Sequence, residues 1–263
     1  MAKLNDLNGK EWIKFTKSWF TISTKSRGKN EIKHPAKYPE ELVDEFIKFF
    51  THEGDVVFDP FLGVASTIVS AERLGRKGVG IEINNDFYNT AVGRCSKEAI
   101  ILNGDCRERI SDIANNSVDF IMTSPPYWNM LSKKRGHSDS QHGDRLKKGL
   151  QLTYSDLEND LSNIDNYDDF ISELRKIFNQ CYRKLKNNKY MVVVIQNFRN
   201  DDGEYLTLAW DLEKKLSKKW SFCGEKLWLQ EDKKLGIWGY PSTFVPNIHH
   251  HYCLIFKKNE KRK

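Results

Sequence analysis

No apolar run in this chain approaches the roughly 20 residues of a membrane span, and the opening MAKLNDLNGKEW lacks the apolar stretch of a secretory signal. A membrane-embedded or exported protein is therefore not expected, and a cytoplasmic one is. Cysteine is scarce: Cys95, Cys106, Cys181, Cys223 and Cys253 make an odd set of five with no Cys-x-x-Cys pair. That speaks against a disulfide framework and against zinc, and each cysteine reads as a small buried hydrophobe. The short run His249, His250, His251 has no further ligands near it in sequence. No metal is expected, and the run reads as the entry to a strand. Internal repeats and low-complexity linkers are missing too.

What remains is a globular composition, with 39% hydrophobic and 30% charged residues over 263 positions. The net charge of +6 raises the expectation of a polyanionic partner. The charge is unevenly spread. Residues 1–30 hold seven Lys/Arg against two acids, residues 129–150 hold six against two, and the tail 257–263 is basic as well.

Apolar runs alternate with amphipathic stretches, which predicts an α/β fold with a mostly parallel sheet. Strands are expected at 55–59, 78–83, 99–102, 118–123, 190–196, 221–229 and 252–256. Helices are expected at 39–50, 65–74, 86–94, 167–185 and 206–216. The whole of 1–263 reads as a single domain with a basic N-terminal arm over 1–30. The stretch 129–166 fits neither period, is basic at first and acidic from Gln151 onward, and reads as an insertion beside the active site.

The turn after the first expected strand runs Phe58-Asp59-Pro60-Phe61-Leu62-Gly63-Val64-Ala65-Ser66-Thr67. Gly63 lets the backbone come close to a ligand, and the helix that follows aims N–H groups at it. The bland alternative is an ordinary strand-to-helix turn. Glu82, at the end of the second strand, can accept hydrogen bonds from both hydroxyls of a ribose, and Asp105 after the third can meet an adenine amino group. Polar points at the carboxyl ends of consecutive strands converge on one crevice. A nucleoside-containing cofactor accounts for all three.

The fourth strand runs into Ser124-Pro125-Pro126-Tyr127-Trp128. Two prolines remove two backbone donors and hold two φ angles, leaving a rigid turn with free carbonyls. The Ser124 hydroxyl and the Pro125 carbonyl suit the two hydrogens of an exocyclic amino group. Tyr127 can stack on a base turned out of its helix. Phe61, Tyr127 and Trp128 add aromatic side chains beside these turns, with core packing as the alternative for Phe61 and Trp128.

Here the chain resembles the amino-group DNA methyltransferases, the N6-adenine and N4-cytosine enzymes. Ser124-Pro125-Pro126-Tyr127 is similar to their catalytic motif [DNS]-P-P-[YFW]. Asp59 through Thr67 is similar to D-P-F-x-G-x-G-[ST]-T, with Ala65 in place of a glycine. His34-Pro35-Ala36-Lys37-Tyr38-Pro39 resembles H-P-[AT]-x-[FY]-P, which helps to hold the cofactor's methionine part. The resemblance covers roughly residues 30–257.

It implies a Rossmann-like S-adenosylmethionine-dependent methyltransferase fold with seven strands and a cofactor site that includes His34, Pro35, Lys37, Pro39, Asp59, Pro60, Phe61, Gly63, Ser66, Thr67, Glu82 and Asp105. It also implies direct methyl transfer to a flipped base of double-stranded DNA. Serine at the first motif position resembles the N4-cytosine group. N6-adenine, an RNA base and a catalytically silent DNA-binding relative stay as alternatives. The His-Pro-Ala-Lys-Tyr-Pro segment speaks for DNA over RNA, and the intact catalytic motif against a silent relative. A separate recognition domain is not evident. DNA contact is therefore expected from Lys133, Lys134, Arg135, Arg145, Lys147 and Lys148, joined by Trp238 and Tyr240. A restriction-modification setting is expected, while a cognate endonuclease and the oligomeric state stay open.

Overall fold

Strand 118–123 (VDFIMT) is buried at every position, as a central parallel strand covered on both faces must be. The computed structural model of the protein describes residues 3–22, 38–128, 160–200 and 203–259. In chain order these form α1 (Gly9–Phe15), β1 (Trp19–Thr21), α2 (Glu40–Phe50), β2 (Val56–Asp59), α3 (Ser66–Arg73), β3 (Lys77–Glu82), α4 (Asn85–Arg94), β4 (Ile100–Asn103), α5 (Cys106–Arg109), β5 (Val118–Thr123), α6 (Tyr167–Lys184), β6 (Leu185–Ile195), β7 (Phe198–Arg199), β8 (Tyr205–Leu206), α7 (Leu208–Leu216), β9 (Ser221–Leu229) and β10 (His250–Lys257). No described helix is long and apolar enough to cross a membrane.

Among the described residues one sheet holds eight strands in the order β1-β9-β10-β6-β5-β2-β3-β4. β6, β5, β2, β3 and β4 are mutually parallel, and β10 runs against both of its neighbours. The α/β, mostly parallel architecture expected from the sequence is present, with one strand more than the expected seven. The addition is β1, whose Trp19, Phe20 and Thr21 pair in parallel with Leu227, Trp228 and Leu229. It escaped the sequence pattern because it is a three-residue edge strand with only its middle residue partly buried.

The expected basic arm is corrected accordingly. Over residues 3–22 it is part of the fold, where Phe15 stacks on Phe49 at 3.9 Å and buried Asn5 donates to the Phe49 carbonyl at 2.5 Å. β6 also starts five residues before the expected position, because Leu185 pairs with Val118 ahead of a register shift. Leu206, expected to open a helix, pairs with Phe198 of β7 instead.

The core lies on both faces of the sheet. On one, Leu42, Val43, Phe46, Ile47 and Phe50 of α2 meet Phe120 and Met122 of β5. On the other, Phe170, Leu174, Ile177 and Phe178 of α6 meet Ile121 and Val193. Both helices place apolar residues three and four apart, which builds one apolar stripe. Cys106, Cys181 and Cys253 are buried as expected; Cys95 is half-buried and Cys223 is exposed on β9, near the sheet's edge.

Strand order reverses between β2 and β5: β2, β3 and β4 proceed to one side, β5 and β6 to the other. The crevice beyond the carboxyl ends of strands at such a switch point is where open α/β sheets bind ligands.

Candidate active site

The carboxyl end of β2 is Asp59, and the chain then turns into α3. Leu62 N–H donates to the Ile81 carbonyl at 2.9 Å, which pins the turn against β3. The turn fits because Gly80 has no side chain there; a Cβ on it would lie 2.7 Å from both Leu62 methyl carbons. Gly63 takes φ +57, which glycine adopts freely, and Ala65 takes φ +67, which costs an L-residue about 1 kcal/mol. Ala65 is the N-cap of α3, standing where the resembled motif carries glycine.

Beyond these strand ends lies a cleft of about 840 Å³, open to solvent at its mouth. Pro60, Phe61, Gly63, Ser66, Glu82, Asp105, Ser124 and Pro126 line it, so eight of the residues singled out from sequence share one wall system. Glu82 is buried and accepts from Gly63 N–H at 2.7 Å and Asn84 N–H at 2.8 Å, one bond to each carboxylate oxygen. Burial pushes its pKa up to about 7; the two backbone donors pull the other way and Asp59 and Asp160 add to the rise. Asp105 caps α5 through Arg107 N–H at 2.8 Å and forms an ion pair with the Arg107 guanidinium. Ser66 Oγ is buried on the cleft wall and has no hydrogen-bond partner among the described residues. A buried hydroxyl without a partner costs free energy that a polar ligand group would recover.

At the other end of the cleft, Ser124 Oγ and the Tyr127 hydroxyl are 3.2 Å apart, and Tyr127 donates onward to the Val194 carbonyl at 3.4 Å. With Tyr127 donating to Val194, the Ser124 hydrogen points to the Tyr127 oxygen, which leaves the Ser124 lone pairs free to accept. The Tyr127 ring is only 7% exposed and does not line the cleft, so its hydroxyl is the part that reaches Ser124; the expected stacking face is covered in this structure. Trp128, at φ +50, donates to the Ile164 carbonyl at 2.6 Å and packs edge-on to Tyr167.

Several expected residues sit elsewhere. Asp59 and Thr67 are buried beneath the turn instead of lining the cleft, and Pro125 is buried behind Ser124. Pro39 is the N-cap of α2 and is also outside the lining. Trp238 and Tyr240 lie between β9 and β10, with Trp238 held through Asn247 Oδ1 at 3.0 Å and Tyr240 83% exposed. That connection leaves the sheet at Leu229 and returns at His250, opposite each other and beside Ile195 at the carboxyl end of β6. It thus belongs to the same end of the sheet as the cleft. His34, Pro35, Lys37, Lys133, Lys134, Arg135, Arg145, Lys147 and Lys148 fall outside the described residues.

Sequence reasoning missed other lining residues. Ile81, Ile83 and Phe87 supply apolar walls on either side of Glu82 and could have been found from its flanks. Asp160 and Leu161 could not, because they come from the end of the 129–166 stretch, where no periodicity marks them. Tyr38 lines the cleft from just before α2.

A family profile described as DNA methylase matches residues 4–93 and 118–263. Among individual relatives, the type II methyltransferase M.ScaI of Streptomyces caespitosus is 42% identical over 66 residues, 25% of this chain and 22% of that one. The type II methyltransferase M2.DpnII of Streptococcus pneumoniae is 38% identical over 98 residues, 37% of this chain and 35% of its own. The chain thus spans between a fifth and about a third of these relatives. A solved SAM-dependent methyltransferase from Methanosarcina mazei aligns over 82% of this chain and 98% of its own, at 14% identity and a TM-score of 0.48, a likeness too low to carry weight.

Proposed function

The chain belongs to the DNA methylase family, and from that premise we propose that it moves the methyl group of S-adenosylmethionine to the N4 amino nitrogen of cytosine in double-stranded DNA. The base is turned out of the helix and no covalent bond to the enzyme forms. The observation that carries this reading is that Glu82, Ser66 and Asp105 share one cleft with Ser124 and Pro126. Donor and acceptor can therefore meet there.

The residues present fit the cofactor. The unpartnered Ser66 hydroxyl needs a polar group, Glu82 offers carboxylate oxygens to ribose hydroxyls, and Ile81, Ile83 and Phe87 suit a flat purine. When bound, the cofactor supplies an activated methyl group on a sulfonium. The chain's own contribution is alignment and electrostatics. Ser124 Oγ, on the cleft wall, accepts one amino hydrogen and turns the nitrogen lone pair toward the methyl donor; the Pro125 carbonyl, expected as the second acceptor, is not part of the lining. Phe61 supplies an apolar wall on which a positive charge is lost at little cost.

The choice of cytosine rests on serine at position 124. Partners follow from the same reading. Lys133, Lys134, Arg135, Arg145, Lys147 and Lys148 contact DNA phosphates, and Trp238 and Tyr240 contact the duplex beside the flipped base. The designation of both relatives as type II methyltransferases supports a restriction-modification setting; a cytoplasmic location belongs to the same proposal, and a cognate endonuclease stays open.

The test is nucleoside mass spectrometry after incubation with S-adenosylmethionine and unmethylated DNA. N4-methylcytosine is the expected product. N6-methyladenine would overturn the base and keep the transfer chemistry; methylation of RNA alone would overturn the DNA substrate.

A further inference from the structure

Thr123 is the last residue of β5 and directly precedes Ser124. Its hydroxyl donates to Asp59 Oδ1 at 2.6 Å, and both residues are buried. The Phe61 N–H donates to the same oxygen at 3.0 Å. Oδ2 accepts from the Thr67 hydroxyl at 2.6 Å and from the Tyr38 hydroxyl at 3.0 Å. One carboxylate thus gathers the approach to α2, the β2–α3 turn, α3 and the end of β5.

The location matters as much as the count. β2 and β5 are the neighbours between which strand order reverses, and their pairing runs through Val57↔Phe120 and Phe58↔Ile121 and goes no further. Beyond those pairs the Thr123–Asp59 side-chain bond links the two strand ends. Tyr38 and Ser124 line the cleft, whereas Asp59 and Thr123 do not. A continuous path, Tyr38 to Asp59 to Thr123 to Ser124, therefore runs behind the wall from one side of the cleft to the other. A buried carboxylate is tolerable only when its lone pairs are met, so loss of one donor disturbs the whole group.

We propose that Thr123 is a positioning residue: through Asp59 it sets the pose of Ser124 relative to the cofactor turn and Tyr38. This rests on the function proposed above. The hydroxyl, and not the strand propensity of threonine, is the operative group.

The full-length variants Thr123→Val and Thr123→Ser separate these. Two quantities are read: the Kd of S-adenosylhomocysteine by calorimetry, and kcat at saturating cofactor and DNA. Thr123→Val is expected to raise the Kd about three- to tenfold although it does not line the cleft, and to lower kcat at least tenfold. Thr123→Ser is expected to keep both within about threefold of wild type. In the double variant with Tyr38→Phe, the Kd penalties are expected to be sub-additive, since both remove donors from one carboxylate.

Wild-type Kd and kcat in Thr123→Val overturn the proposal, as does a Thr123→Ser variant as impaired as the valine. If Thr123→Val does not fold, Tyr38→Phe replaces it, and an unchanged kcat at saturating cofactor then overturns the relay. A wild-type protein that binds S-adenosylhomocysteine but methylates nothing refutes the proposed function instead, and the Kd cycle still tests the relay.

Discussion

Glu82 is a buried carboxylate whose pKa burial raises to about 7, and the consequence is a ligand site sensitive to mild acid. Under the proposed function, ribose hydroxyls donate to the charged form. Affinity for S-adenosylhomocysteine is therefore expected to fall as pH drops below 7, by up to about tenfold per unit. Glu82→Gln should weaken binding at pH 8 and flatten that dependence, as calorimetry across pH 5.5–8.5 would report. For folding the sign is opposite. The folded pKa lies above the unfolded one, so this group favours the folded state below about pH 4.5, and the benefit is lost as pH rises through 7. Glu82→Gln is accordingly expected to raise the melting temperature relative to wild type more at pH 8 than at pH 5. At the catalytic turn, Ser124→Ala should lower kcat at least tenfold and leave S-adenosylhomocysteine affinity within about twofold. Tyr127→Phe keeps the ring and removes the hydroxyl that orients Ser124. A three- to tenfold loss of kcat is expected, while a role limited to ring stacking predicts no loss.

At the scale of elements, the seat of the cofactor turn is made by what β3 leaves out. Gly78 faces Ile68 of α3 and Gly80 faces Leu62, so α3 and the turn settle directly on the strand backbone. A Cβ on Gly78 would fall inside the Ile68 methyl group. Gly78→Ala is expected to cost about 1–3 kcal/mol in a urea titration, with cofactor affinity lowered as α3 is displaced. Across the helices, Arg94 of α4 donates to the Val64 carbonyl and pairs with Glu40 of α2 at 2.5 Å. The turn is thereby held from a third side. None of these cross-element contacts has a local signature in sequence, whereas the elements themselves did. The buried stripes of α2 and α6 and the largely apolar β5 were legible because helix and strand periods are local properties.

At the scale of the molecule, the sheet brings the catalytic turn and the β9–β10 connection to one end. That connection exposes Leu235, Ile237, Tyr240 and Phe244, each at least 78% accessible. Under the proposed function this end meets DNA. Trp238→Ala with Tyr240→Ala should weaken duplex binding at constant cofactor affinity, as a fluorescence-anisotropy titration would show. Neutralising Lys133, Lys134 and Arg135 together should reduce the slope of log K against log salt by about 3 if each contacts a phosphate.

Local sequence singled out the residues to which the proposed chemistry is assigned: Ser124-Pro125-Pro126, the Asp59–Thr67 turn and Glu82 all stand out because short motifs encode turns and strand ends. It determined the α/β class as well, through periodicity. Tertiary structure alone decided how those residues divide the work. Asp59 and Thr67, read as ligand contacts, lie buried beneath the turn and outside the cleft lining, since burial depends on what packs over a residue and not on its neighbours in the chain. Trp19–Thr21 joined the sheet because β9 had an unpaired edge to offer. The Asp59–Thr123 bond, 64 positions apart in sequence, exists because strand order reverses between β2 and β5, a fact of topology that no window of the sequence contains.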